Sequence, residues 1–340
     1  MGISSLVLSD IEAAVIDQTY HCKILHVSNN HCFFNSGYIC IYKRRTDTKT
    51  AGCAVCYHSN RFTQLSVNLL EFYRSDCELL NRDNIGIVLL LQPITEQDTA
   101  LRPICVANTH LVFNPQRGDV KLAQLAILLA EIDMMMKCKS EGRSCEVILC
   151  GDFNCLPNTL ITSGQLYYHG LPAWMVSGAS GALGKTHLFI TIQRDKLQYS
   201  HDFLCQLRCE AACVRPPDLE FIPGVTDNKP EIQMFSPRFR YSLYHSLCLT
   251  SVYSHIHPDT QNSAVTTLNS EGRAMVDYIF YSTQTNCCGG CTALLLESDL
   301  WSLKGLPNKT FPSDHLSLLV RFQFCRVFHG KIRTGATCHL

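Results

Sequence analysis

Neither sign of charge prevails in this chain, whose 340 residues carry 29 Lys+Arg and 29 Asp+Glu for a formal net charge of zero. A basic surface spread over the whole molecule, of the kind that binds polyanions indiscriminately, is thereby excluded, while a local basic cleft is not. Long apolar runs are lacking too. The longest, Ile85–Leu91, has the length of a buried strand and falls short of the roughly 18–20 residues a spanning helix needs, so no membrane contact is expected. The opening MGISSLVLSD has no basic stretch and no full apolar core, and Leu6 stands where N-myristoylation favours Ser or Thr. No signal peptide or lipid anchor is expected. What the chain does have is apolar material, 46% of residues against 17% charged. That suffices for one large domain or two ordinary ones and excludes disorder over most of its length.

Cysteine is abundant, at 20 residues. Many of these lie inside apolar segments (Cys53, Cys56, Cys105, Cys150, Cys325), where a free thiol behaves as a small buried hydrophobe. Cys287, Cys288 and Cys291 in NCCGGC, and Cys205, Cys209 and Cys213 at helical spacing, lack the second pair that a structural zinc site requires. Unligated thiols, a reducing environment and a cytoplasmic (or nuclear) location are expected.

Along the chain, Met1–Ser36 reads as irregular, with a short helical pattern around Ser9–Gln18. GYICIYKR and AGCAVCYH, parted by the polar RTDTKT, form an expected hairpin. Ile85–Gln92, Ile104–Leu111 and Val147–Cys150 are expected strands, and Asp119 to Lys137 an amphipathic helix with Leu125, Leu128, Leu129, Ile132 and Met136 at helical spacing. Strand texture returns in LTSVYSH, MVDYIFYS and HLSLLVRFQF, so an α/β or α+β sandwich is the expected class.

The polar residues fall at strand ends. ICVA runs into Asn108-Thr109-His110, and VILC into Gly151-Asp152-Phe153-Asn154; near the C-terminus, Ser313-Asp314-His315 precedes LSLLVRF. If that last strand runs antiparallel to the others, the three clusters meet at one edge of the sheets. Residues two apart in an extended segment share a face, so Asn108 is expected beside His110, and Asp152 beside Asn154. Asp277, inside an apolar run, needs a buried partner, and the imidazole of His315 is the natural one. Alone, GDFN is an Asx turn, SDH a turn or helix start, and His110 a hydrogen-bonded structural histidine. Together, two histidines, acids and amides without a Ser or Cys nucleophile fit metal-assisted phosphoester hydrolysis, with Mg²⁺ (or Mn²⁺) on hard oxygens and donors facing the phosphate.

ANTHL, CGDFN, VDYIFYS and SDHLSLL, in this order and spacing, resemble the endonuclease/exonuclease/phosphatase superfamily, in the branch of the deadenylases, nocturnin and the angel proteins. YKRRTDTKTAGCAVCYHSNRF, ELLNRDNIGIVLLLQP and NPQRGDVKLAQLAILLAEI are similar to the angel proteins, and YYHGLPAW and PGVTDNKPE to the angel homolog 1 type. The resemblance spans about Gly37 to Phe324. It implies a two-sheet α/β sandwich, a domain over residues 37–328 with a tail at 329–340, and action on RNA 3′ ends, either 2′,3′-cyclic phosphates or poly(A)-type tails. It further implies that Asp152 activates water or handles the leaving-group proton, that Asn154 holds a metal-bound water or phosphate oxygen, and that His315, oriented by Asp277, contacts the phosphate. Asn108 and His110 would position the phosphate, and Asp314 with Asp152 would belong to the metal or its water shell.

The family's S-Y-N and L-Q-E strands, the latter bearing its glutamate metal ligand, have no counterpart before Tyr38. Glu12 is the nearest acid in a vaguely similar context. Met1–Ser36 is therefore expected to replace two core strands, leaving unpaired edges and weak metal binding. The alternative to an active phosphoesterase is a catalytically weak chain that only binds RNA or protein partners.

Overall fold

The apolar runs pair into two six-stranded sheets. In the computed structural model the described residues are 4–14, 17–26, most of 37–167, 242–253 and most of 264–324. In chain order the strands are β1 (Ser4–Ala14), β2 (Asp17–His26), β3 (Tyr38–Arg44), β4 (Gly52–His58), β5 (Phe62–Glu71), β6 (Ile85–Pro93), β7 (Ile104–His110) and β8 (Glu146–Asp152), with helix α1 (Gly118–Lys139) between the last two. There follow α2 (Asn158–Ser163), β9 (Gln165–Tyr167), β10 (Ser242–Tyr244), β11 (Leu249–Ser251), β12 (Thr267–Asn269), β13 (Gly272–Ala274), β14 (Asp277–Ser282), β15 (Asn286–Cys291) and β16 (Leu318–Phe324). One sheet has the order β15-β16-β2-β1-β4-β3, the other β11-β14-β8-β7-β6-β5; β9 with β10 and β12 with β13 form two small ribbons. This is the expected α/β sandwich, and SDH lies just before β16, which runs antiparallel to β2.

Each sheet's chemistry explains its place. Cys53, Val55 and Tyr57 of β4, and Leu318, Val320 and Phe322 of β16, recur at period two and form one buried face. In the second sheet the central strands are apolar at every position: Ile87–Leu91, Ile104–Ala107 and Val147–Cys150 are all buried. One face meets the first sheet and the other is covered by α1, which packs on β5, β6 and β7. Each large apolar side chain so buried contributes about 1.5–3 kcal/mol. The helix differs from the one-faced expectation: every residue from Val120 to Ile132 is buried, including Lys121, Gln124 and Glu131. Those polar residues have specific partners, such as the Asn68 amide that donates to Glu131 at 2.7 Å.

Three expectations are corrected. Residues 4–14 and 17–26 are not irregular or helical but two paired antiparallel strands, with β1 parallel to β4 (Ser4 opposite Cys53) and β2 antiparallel to β16 (Ile24 opposite Leu318). The backbone groups of β4 and β16 thus find partners, which removes the expected unpaired edges. Glu12 pairs with Thr19, itself opposite Gln323, so it lies at the far end of the sheet from His315, about 17 Å beyond the level of Leu318 at strand rise. Cys56 is not a free thiol: it faces Cys40 directly across β3 and β4 and is bonded to it, while Cys53, Cys105 and Cys150 are buried and outside any disulfide. Cys287, Cys288 and Cys291 sit on β15 opposite β16, whereas Cys205, Cys209, Cys213 and Cys325, like residues 329–340, lie outside the described residues.

Candidate active site

The pairing register assembles the site. His110 on β7 is opposite Asp152 on the parallel β8, and Asp152 is opposite Asp277 on the antiparallel β14. Three neighbouring strands therefore end at one place with an imidazole and two carboxylates. From the other sheet the segment before β16 brings His315, whose Nδ1 lies 2.8 Å from Asp277 Oδ2. Asp152 and Asp277 are almost fully buried, His110 and His315 are partly exposed, and His110 Nε2 lies 3.5 Å from Asp152 Oδ2.

The local sequence dictates these positions. Gly151 has φ +141°, and a Cβ there would come within 2.0 Å of the Thr109 carbonyl oxygen, so β7 and β8 can close at the site only with glycine. After Asp152 the strand stops in an Asx turn: the Asn154 N–H donates to Asp152 Oδ1 at 2.9 Å, and Asn154 itself adopts φ +52°. Backbone bonds stitch that turn on both sides, Leu111 N–H to the Asp152 carbonyl (2.9 Å) and Phe153 N–H to the Val276 carbonyl (2.8 Å). The hydroxyl of Thr266 accepts the N–H of Val276 (3.0 Å) and of Asp277 (3.2 Å), while Thr267 pairs with His315 and donates its hydroxyl to the Asp314 carbonyl (2.8 Å).

Electrostatics follows from this enclosure. Burial pushes the Asp152 carboxyl upward; His110 and then His315 pull it back, Asp277 adds to the rise, and the balance is a raised pKa. Burial opposes the His315 charge, but Asp277, through its charge and its hydrogen bond, outweighs that penalty with help from Asp152 and Asp314, and the imidazole is pushed up to about 9. His315 is thus an imidazolium at neutral pH, oriented by a buried acid. Asp152, Asp277 and His315 each bring a donor-type atom within 4.8 Å of the others; with His315 held as an imidazolium by Asp277, the carboxylates are the hard oxygen donors that a divalent cation would take there.

The structure thus gathers Asp152, Asp277, His315 and His110. Asn108, fully buried, instead donates from Nδ2 to the Ala54 carbonyl of β4 at 2.9 Å, tying the two sheets together beneath the site. Asn154 does not share a face with Asp152: its positive φ ends the alternation, and its Nδ2 donates to the Leu111 carbonyl at 3.0 Å. Asp314 stands beside His315, outside the three-residue metal group. Thr266 and Thr267 were not legible beforehand, because the spacing of AVTTLN carries no sign of a cradle.

A two-sheet sandwich with acids and imidazoles at its strand ends is the class that the resemblance to the endonuclease/exonuclease/phosphatase superfamily implies. Protein angel homolog 1 of Rattus norvegicus is 40% identical to the chain over 349 residues, covering 84% of this chain and 52% of that protein. Protein angel homolog 2 of Bos taurus is 42% identical over 308 residues, covering 84% and 56%. The crystal structure of ANGEL2, a 2′,3′-cyclic phosphatase, in complex with adenosine-2′,3′-vanadate superposes with a TM-score of 0.66 at 42% identity, over 85% of this chain and 75% of that one. No protein-family model matches. The chain belongs to the angel proteins, and it spans about half the length of the curated relatives it matches.

Proposed function

We propose that the chain is a metal-dependent phosphoesterase acting on RNA 3′ ends, with terminal 2′,3′-cyclic phosphate as its substrate group and poly(A)-type 3′ ends as the second candidate. The single observation that carries this reading is the buried Asp152–Asp277–His315 group, set at the strand ends in a chain related to a 2′,3′-cyclic phosphatase.

Asp152, its pKa raised and its Oδ1 already accepting the Asn154 N–H, orients the attacking water and takes up or returns a proton. His315 carries the positive charge that the phosphate oxygens need as charge builds on them, and Asp277 fixes its ring and holds that charge. His110 sits against Asp152 and donates to the phosphate. Asp152 would hold Mg²⁺ (Mn²⁺ as the alternative), with Asp314, beside His315, in its water shell, while the charged His315 stays off the ion; the ion when bound would draw charge from the phosphoryl oxygens. Asn108 keeps the floor of the site and Asn154 its turn. RNA is the proposed partner and the cytoplasm the proposed location; no helix among the described residues is long and apolar enough to cross a membrane.

Glu12 lies remote from the cluster, and no glutamate is in the three-residue group among the described residues. That favours a second reading, in which the chain binds RNA with little turnover. Chelation separates the two. An RNA ending in a 2′,3′-cyclic phosphate should be hydrolysed with Mg²⁺, lose hydrolysis on chelation and regain it on adding Mg²⁺ or Mn²⁺. Binding of that RNA with no metal-dependent hydrolysis selects the second reading.

A further inference from the structure

Helix α1 carries buried polar side chains that the proposed chemistry does not use. Lys121, only 2% exposed, donates from Nζ to the Asn154 carbonyl at 2.5 Å. One turn on, Gln124 is fully buried: its Oε1 accepts the Val112 N–H at 3.1 Å, and its Nε2 donates to Asn84 Oδ1 at 3.2 Å. Asn84 in turn donates from Nδ2 to the His110 carbonyl at 2.9 Å. Residues three apart lie on one helix face, so one rigid face holds two separate loops. Lys121 holds the turn that follows Asp152, and Gln124, directly and through Asn84, holds the loop that follows His110. A buried lysine is costly to maintain, and a well-packed apolar residue would often serve stability as well or better. Its cation instead engages the carbonyl of the residue whose N–H donates to Asp152 Oδ1.

We infer that Lys121 and Gln124 are positioning residues, which hold the strand ends bearing Asp152 and His110 at the spacing that turnover needs. The inference rests on the phosphoesterase reading for its kinetic consequence, but its structural half stands apart: the Asp152–Asn154 turn is rigid because α1 grips it. Neither residue is among the side chains assigned to the phosphate or the metal; each acts through the loop it holds.

The test uses the full chain, RNA ending in a 2′,3′-cyclic phosphate with Mg²⁺, and the variants Lys121→Met, Lys121→Arg, Gln124→Leu and, as control, Lys137→Met at the exposed end of the same helix. Misplacement of a reacting group lowers turnover without weakening binding, so Lys121→Met should lose about 100-fold in kcat with KM within about two-fold. Lys121→Arg, which keeps a donor, should recover most of that loss. Gln124→Leu should fall between, and Lys137→Met should match the wild type. Amide exchange gives the second readout: the Asn154 N–H should exchange at least about ten-fold faster in Lys121→Met than in the wild type or Lys121→Arg, with the thermal midpoint held. Unchanged kcat in a folded Lys121→Met overturns the inference, as does an equal fall of kcat and thermal midpoint in both Lys121 variants. A wild type without turnover overturns the phosphoesterase reading instead; exchange at Asn154 then decides alone, and equal rates in all variants overturn the inference.

Discussion

The two ends of β8 both carry a buried acid, and they differ in what surrounds it. At the start of the strand, Glu146 meets the Arg102 guanidinium at 3.5 Å and accepts the Ser282 hydroxyl at 3.1 Å, while Ser282 Oγ accepts the Val147 N–H at 3.0 Å. That partner is always charged, and the Ser282 hydroxyl bridges the carboxylate to the β8 backbone, so the group is tied into the fold. At the end of the strand, six residues on, Asp152 has a second acid beside it and two imidazoles as its cationic partners. There the partners are imidazoles and a carboxylate rather than a permanent cation, and the acids crowd each other. An acid paired with arginine holds a fold together; acids paired with histidines can move protons and accept a cation.

The largest effect that would break this contrast concerns His315 and Asp277. If the carboxylate acts by orienting and charging the imidazole, His315→Ala and Asp277→Asn should each cost turnover about 100- to 1000-fold, and the double variant little more than either alone. Independent losses that multiply would separate the pair. At the other end, Glu146→Gln should leave turnover within about two-fold and lower stability by about 1–3 kcal/mol, read by denaturant unfolding. A loss of activity there would erase the distinction between the ends.

Acidity sharpens it further. The folded-state pKa of His315, about 9, is above that of an ordinary histidine, so its pairing stabilises the metal-free fold fully below about pH 6.5 and ceases to do so as the pH rises through about 9. Unfolding of the metal-free chain between those limits should show a loss on the order of 3 kcal/mol that His315→Gln lacks. The smallest effect is expected at Glu12. Its register at the far end of β1 predicts no change in turnover or Mg²⁺ binding on Glu12→Gln, and a clear loss would mean that β1 carries the ligand.

The end of β8 was legible because alternation and apolar runs mark strands, and Asp152, Asp277 and His315 interrupt or bound such runs. Three features were not legible, each for a local reason. Alternation was extended past Asp152 to Asn154, where an Asx turn with positive φ had already taken over. SSLVLSDIEAA carries both helical and strand character, and what makes it β1 is its pairing with β2 and with β4. Lys121 carried no signal in the sequence, because the carbonyl that holds it belongs to Asn154, well beyond the end of α1.

The most direct measurement is single-turnover hydrolysis of a 2′,3′-cyclic-phosphate RNA by this chain with Mg²⁺, beside folded Asp152→Asn. An amide can neither take the proton nor supply the charge that holds the cation, so the account predicts hydrolysis by the wild type and a loss of at least about 1000-fold in the variant. Equal rates, or a wild type no faster than RNA in buffer alone, would contradict it.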